Sequence, residues 1–257
     1  MPRHKPSIAQ NIESARKSFE RDLLTSSYAQ IISDEAHLAN IIRHCDLISS
    51  KTYLDIGTGS GYIAFELARR DPSIFVIGVD IVEPVIAANN QKARVEHHSR
   101  LNFVGFGGTT LPFEDRAFGG VLSRYAFHHF PLPDLSTREI YRILEPQGFC
   151  IISDPIADIR DDMDFVNQFG ALRNDGHICY YGEARLIELF EKAGLRVDTK
   201  FYSTITFPRE FNEYYEKLLR KTPQALLDVY QVSQVGEKVH ITLQVLNICF
   251  RKAASVV

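Results

Sequence analysis

The stretch Tyr53-Leu54-Asp55-Ile56-Gly57-Thr58-Gly59-Ser60-Gly61 constrains this chain more than any other. An apolar run that ends in three alternating glycines predicts a strand, a tight turn and the start of a helix. Such a turn lets the backbone approach a ligand closely, and the helix behind it presents free N–H groups. A second apolar run, Ile74 to Asp80, ends on an acidic residue. The spacing from Gly59 to Asp80 is the roughly 20 residues seen in nucleoside-binding folds, where that carboxylate accepts the ribose hydroxyls.

The rest of the chain continues the alternation. Strands are expected at Thr52–Ile56, Ile74–Asp80, Leu101–Phe106, Gly120–Arg124, Phe149–Asp154, Arg196–Thr204 and Val239–Phe250. Helices are expected between them, one of them opening with Ser136 and Glu139 at capping-box spacing. Alternating strand and helix implies a parallel sheet with right-handed crossovers and helices on both faces. Two amphipathic helices precede the first strand. Ile8, Ile12, Ala15, Phe19 and Leu23 mark the first, with Arg16, Lys17 and Glu20 outward; Leu38, Ile41, Ile42 and Cys45 mark the second. We divide the chain into N-terminal helices (1–48), a cofactor-binding core (49–154) and the remainder of the sheet (155–257), all as one domain of 257 residues.

A ligand held by that turn need not be a dinucleotide. The spacing is GxGxG, whereas pyrophosphate-binding turns usually carry a later third glycine. Asp55 would repel a pyrophosphate and suits a cation. The segment Asp55 to Gly61 resembles motif I of class I S-adenosylmethionine-dependent methyltransferases, in the branch of the ubiquinone/menaquinone-biosynthesis C-methyltransferases. Leu111-Pro112-Phe113-Glu114-Asp115-Arg116-Ala117-Phe118, Tyr125-Ala126-Phe127-His128-His129-Phe130 and Leu144-Glu145-Pro146-Gln147-Gly148-Phe149 resemble three further segments of that family, in order. The resemblance runs from Thr52 to Asp154, and more loosely to Gly194.

It implies a Rossmann-like doubly wound sheet of seven strands, order 3-2-1-4-5-7-6, with the last strand antiparallel. It implies S-adenosylmethionine as cofactor and S-adenosylhomocysteine as product. Gly57, Thr58, Gly59 and Gly61 would line the methionine portion, and Asp55 would reach its amino end. Asp80 would hold the ribose, and Ile81 would pack on the adenine. Thr109, Thr110 and Leu111 would border the adenine from the other side, and Arg124 and Tyr125 would lie beside the reacting methyl. Two positions depart from the family pattern. Gly107 stands where an acidic residue often contacts the adenine amino group, and Gly119 stands where Asp often follows the loop phenylalanine.

Candidates for the chemistry lie after the fourth strand. His128 or His129, with Tyr125 beside them, would act as a base if the acceptor must lose a proton; equally, each histidine would fix the loop by hydrogen bonding. Asn167 to His177 resembles a segment found in part of the same branch, so Arg173 and His177 would face an anionic group of the acceptor, or form a local salt bridge. Phe211, Tyr214 and Tyr215 make an aromatic stripe that is either core or a wall of the acceptor site. Tyr28 and the first helix would form a lid, or that helix's amphipathic face would simply pack on the domain. His128, His129 and His177 match no metal-ligand spacing, and no metal is expected.

Composition narrows the partners. The net charge is −3, and Lys and Arg are interspersed with acids, so no basic stripe is ready for nucleic acid. No apolar run reaches the length of a membrane span, and the first twelve residues carry no apolar signal region. Cys45, Cys150, Cys179 and Cys249 form no CxxC pair, so reduced thiols and a cytoplasmic setting are expected. The reading is a cytoplasmic methyltransferase for a small molecule. Its rivals are a methyltransferase of RNA or protein, and a cofactor-binding protein without turnover; the oligomeric state is left open.

Overall fold

The computed structural model describes residues 7–23, 34–44 and 51–254. Eight strands form one sheet: β1 (Thr52–Ile56), β2 (Phe75–Asp80), β3 (Leu101–Gly105), β4 (Phe118–Arg124), β5 (Leu144–Pro155), β6 (Leu195–Glu210), β7 (Ser233–Val235) and β8 (Lys238–Lys252). The order is β3-β2-β1-β4-β5-β8-β6, with β7 paired to β8 outside that path. The first five strands run parallel, and β8 lies antiparallel between β5 and β6.

This is the expected Rossmann-like sheet with one strand more. Short β7 forms a hairpin with β8, which takes the place expected of the seventh strand. β6 also runs farther than expected, to Glu210. Its Lys200–Glu210 stretch mixes polar and apolar residues because much of one face is exposed, which blurs the sequence signal. Pro208 is tolerated there because β6 is the sheet's last strand, with one side unpaired. The capping-box expectation fails. That helix starts at Pro133, whose missing N–H costs nothing in a first turn, and Ser136 Oγ donates back to the Leu132 carbonyl at 3.0 Å. Glu139 instead accepts from Leu111 N at 3.0 Å and pairs with Arg142 at 2.8 Å.

Successive β1 residues point to opposite faces. Tyr53 joins Phe65, Val76, Leu122 and Phe149 on one side, where Leu38, Ile41 and Ile42 of the Glu35–His44 helix also pack. Leu54 joins Val79, Val121, Phe127, Ile140 and Phe190 on the other. A third core, around Phe165, Phe169, Phe207, Tyr215, Leu218 and Val245, lies under the long ends of β6 and β8. The carboxyl ends of β1, β2 and β4 are left to form a crevice, the position where open sheets of this kind bind ligands. Tyr28 and Cys45 lie outside the described residues.

Candidate functional site

Gly57, Gly59 and Gly61 have φ of 70°, 50° and 75°, in the left-handed region that a side chain disfavours. At Gly57 a Cβ would strike that of Ala126, and at Gly61 it would meet the Phe65 and Phe103 rings, whereas Gly59 faces open space. The turn is pinned from behind by Gly57 N and Thr58 N, which donate to the Val79 carbonyl at 2.9 and 3.0 Å. Asp80 completes it. One carboxylate oxygen accepts from Gly59 N at 2.9 Å and the other from Val82 N at 3.1 Å. Asp55 is buried at the end of β1 and accepts from Thr58 Oγ1 at 2.7 Å. Burial pushes its carboxyl up to about 7, against the hydrogen bonds of Thr58 and the Ala64 amide. Burial raises Asp80 as well.

A cavity of about 1000 Å³, counting its open mouth, spreads in front of this turn. Asp55, Gly57, Thr58, Gly59 and Asp80 form one wall, and Ile81, Phe106 and Gly108 extend it. Ile12, Ala15 and Phe19, from the Ile8–Leu23 helix, close part of the mouth, and Arg124, Tyr125, Ala126 and His129 form the wall after β4. Thr109 and Leu111 lie on a small cleft that shares Phe106, Gly108 and Phe130 with the cavity. Thr110 is exposed and lines neither, and Gly61 sits behind the turn, under the Phe65 and Phe103 rings. Gly107 is exposed with nothing near its missing side chain.

Behind Arg124 and Tyr125 lies a buried polar cluster that sequence reasoning missed. His37 Nε2 is 2.6 Å from Asn247 Oδ1. The Asn247 amide nitrogen is turned to Ser203 Oγ at 3.0 Å, so His37 donates through Nε2 and accepts at Nδ1. That Nδ1 lies 3.3 Å from both the Tyr125 hydroxyl and Arg124 Nη2. Burial lowers the His37 pKa and keeps it neutral. Tyr125 itself has φ of 55°, and the Arg124 guanidinium lies 4.1 Å from its ring. A lone histidine on an amphipathic helix gives no sequence signal for this; only pairing of β5, β8 and β6 assembles its partners.

The two adjacent histidines part company. His128 points away from the cavity, its Nδ1 3.0 Å from Asp154, and its carbonyl accepts from Ile178 N and Cys179 N. It fixes the loop, and burial pushes it down to about 3. His129 lines the cavity, edge-on to Phe19 at 5.0 Å between ring centres. Its Nδ1 is buried without a hydrogen-bond partner, and burial, with His128 beside it, pushes it down to about 4.

The remaining candidates lie off the cavity. His177 is held by Asn167 at 2.9 Å, and Arg173 pairs with Asp175 at 3.2 Å. The aromatic stripe is core rather than wall: Tyr215 is 3% exposed against Phe169, Phe211 packs on the same cluster, and Tyr214 points to solvent. The reason is the long β6, which carries the Glu213–Lys221 helix past the cavity. Among the described residues no group of His, Cys, Asp and Glu is arranged to hold a metal ion, and no helix is long and apolar enough to cross a membrane.

Residues 47–194, more than half of the chain, match the profile of the methyltransferase-domain family. The demethylmenaquinone methyltransferase of Thermus thermophilus is 32% identical over 102 residues, 40% of this chain and 46% of that protein. The chain spans about half the length of the curated relatives it matches. Among solved structures, the YcgJ protein of Bacillus subtilis superposes with a TM-score of 0.73 at 21% identity, covering 86% of this chain and all of that one. Phosphoethanolamine N-methyltransferase 2 of Haemonchus contortus, solved with phosphomonomethylethanolamine and S-adenosylhomocysteine, gives 0.65 at 17% identity, covering 93% of this chain and 60% of that one.

Proposed function

The chain belongs to the class I methyltransferase-domain family, and we propose that it transfers a methyl group from S-adenosylmethionine to a small-molecule acceptor. The observation that carries this reading is the open space over Gly59, bounded by two acidic groups, Asp55 and Asp80, and by apolar Ile81 and Phe106. That donor set fits a ligand with a cationic amino-acid tail, a ribose and a flat base. A pyrophosphate at the turn would meet Asp55. The solved relative that holds S-adenosylhomocysteine supports the same cofactor.

When bound, S-adenosylmethionine would supply an electrophilic methyl on a sulfonium. The chain's part is largely placement, since alignment alone contributes up to about 7–11 kcal/mol in well-oriented systems. In this reading Asp80 takes the ribose hydroxyls while it still holds Gly59 N. Asp55 faces the amino end, and the Gly57–Gly59 turn backs the methionine chain. Ile81 and Phe106 pack on the base, with Thr109 and Leu111 at its edge. Backbone groups of that loop take the place of the acid missing at Gly107. Arg124 and Tyr125 stand beside the reacting methyl. Of the two adjacent histidines, His129 is the one on the cavity wall, and so the one placed to take a hydrogen bond or a proton from the acceptor. The Ile8–Leu23 helix excludes water from the mouth through Ile12, Ala15 and Phe19. A mouth narrowed by apolar side chains, on a chain with net charge −3, favours a small molecule over a nucleic acid.

Calorimetric titration with S-adenosylhomocysteine, comparing wild type with Asp80→Ala, tests the reading. We expect binding that weakens at least tenfold in the variant, about 1.4 kcal/mol. A folded wild type that binds no S-adenosylhomocysteine, or an Asp80→Ala variant that binds equally well, overturns it.

A further inference from the structure

The loop between β3 and β4 changes character at Leu111. Among the described residues, no hydrogen bond engages the backbone N–H and C=O groups of Gly107, Gly108, Thr109 and Thr110. At Leu111 and Phe113 all four such groups are taken. Leu111 N donates to Glu139 Oε2 at 3.0 Å. The Leu111 carbonyl accepts from Arg142 Nη2 at 3.0 Å and from Phe113 N at 2.9 Å. The Phe113 carbonyl accepts from Arg142 Nη1 at 2.7 Å, and Pro112 between them has no N–H to satisfy.

Both partners come from the Pro133–Ile143 helix, where residues three apart share a face. Arg142 Nε and Nη2 each lie 2.8 Å from a different Glu139 carboxylate oxygen, a two-pronged pairing that needs a guanidinium fork. Arg142 also holds the Glu139 carboxyl below its ordinary range, so the pair is charged at neutral pH. An ion pair near the surface contributes little to stability by itself. This one spends its donors and acceptors on the main chain of a loop, which fixes geometry. The gripped stretch adjoins the cavity: Gly108 lines it, and Thr109, Leu111 and Glu139 line the small cleft beside it.

We propose that Glu139 and Arg142 are positioning residues for the cofactor's base: they fix Leu111 and Phe113, and so hold the free backbone groups of residues 107–110 against the polar edge of the adenine. This rests on the methyltransferase reading and adds to it the device that makes an acid at position 107 unnecessary. Adenine presents a donor, its 6-amino group, beside an acceptor, N1. Hypoxanthine presents an acceptor oxygen beside an N1–H. Main-chain groups held in place tell the two apart, because the wrong base leaves them unpaired, whereas a loose loop adjusts to either.

The test is calorimetric titration with S-adenosylhomocysteine and with S-inosylhomocysteine, which differs from it only at that edge. Wild type is compared with Arg142→Met, Arg142→Lys and, as a control at the ribose, Asp80→Ala. We expect wild type to prefer the adenine ligand at least tenfold. Arg142→Met should weaken S-adenosylhomocysteine at least tenfold and S-inosylhomocysteine less than threefold, so that the preference collapses. Arg142→Lys keeps a cation beside Glu139 without the fork, so it should fold like wild type and still lose at least threefold of the preference. Asp80→Ala should weaken both ligands alike. A merely structural role for the pair predicts that the Arg142 variants weaken both ligands equally, or neither. That result, or a wild type that binds both bases equally well, overturns the positioning role and leaves the methyltransferase reading standing. If folded wild type binds neither ligand, the cofactor reading fails and this assignment falls with it.

Discussion

The Tyr125 hydroxyl lies 3.3 Å from His37 Nδ1, and that contact ties the cavity wall after β4 to the Glu35–His44 helix. The imidazole is oriented from its far side by Asn247, so it can only accept toward the cavity. His37→Phe keeps the ring and removes both nitrogens. Asn247 Oδ1 keeps Ser153 Oγ at 2.7 Å, but Tyr125 and Arg124 lose an acceptor. We expect a stability loss of about 1–3 kcal/mol in thermal or urea unfolding, the usual cost of leaving a buried polar group unsatisfied. Affinity for S-adenosylhomocysteine should fall several-fold as the wall loosens. Unchanged affinity in a destabilised variant would mean that Arg124 and Tyr125 are held by other contacts.

Two alanine substitutions in the glycine turn should separate folding from binding. Gly57→Ala drives a Cβ into that of Ala126 at a φ of 70°, so it should destabilise the fold and abolish binding together. Gly59→Ala meets nothing within 4 Å. Its cost is mainly that of a left-handed alanine, about 1–2 kcal/mol. The new methyl would stand in the space assigned to the ligand, so Gly59→Ala should fold and yet lose S-adenosylhomocysteine binding by at least tenfold. Urea unfolding and calorimetry on the same samples read both quantities. A Gly59→Ala variant that binds normally would move the ligand off this turn.

How much of this was legible beforehand depends on how far apart the interacting residues are. Strand β1, the glycine turn and Asp80 are written within about thirty residues, and local chemistry dictates them. The parallel sheet followed from strand–helix alternation, and its strand order from the family resemblance. What escaped was assembled across the whole chain. His37 meets Asn247 only because β8 inserts between β5 and β6. The difference between His128 and His129 is a matter of which side of a short 3-10 turn each occupies, and that turn, Phe127–His129, has no pattern to read. The Phe211–Tyr215 stripe has the periodicity of a helix face, but periodicity does not say which cavity or core the face meets.

That stripe gives a third prediction. Tyr214 is 54% exposed and Tyr215 3%. Tyr214→Ala should change stability by no more than about 0.5 kcal/mol, as exposed substitutions usually do. Tyr215→Ala empties a site packed against Phe169 and should cost about 3–5 kcal/mol, the range for large aromatic truncations. Chemical denaturation of both variants is sufficient. A large loss in Tyr214→Ala would show that this face is covered in solution, since the structure leaves it bare.

Asp55 should make cofactor affinity and stability depend on pH in opposite directions. Burial raises its carboxyl to about 7, and the neighbouring Asp80 adds to the shift. In the unfolded chain the group titrates near 3.9. Between those values the native state holds a proton that the unfolded state has released, so this residue's stabilising contribution is present at low pH and is lost as pH rises through 7. Relative to wild type, Asp55→Asn should therefore gain stability from about pH 4 to about pH 7, by at most about 1.4 kcal/mol per pH unit. Binding runs the other way. The carboxylate, not the acid, attracts the α-amino cation of S-adenosylhomocysteine. Wild-type affinity should rise up to tenfold per pH unit toward pH 7 and then flatten, while Asp55→Asn should bind weakly with no such slope. Calorimetry in two buffers of different ionisation enthalpy at pH 6 should also detect a proton released on binding to wild type. A flat affinity profile with no proton release would mean that Asp55 is ionised before the ligand arrives, or that it does not face the amino group at all.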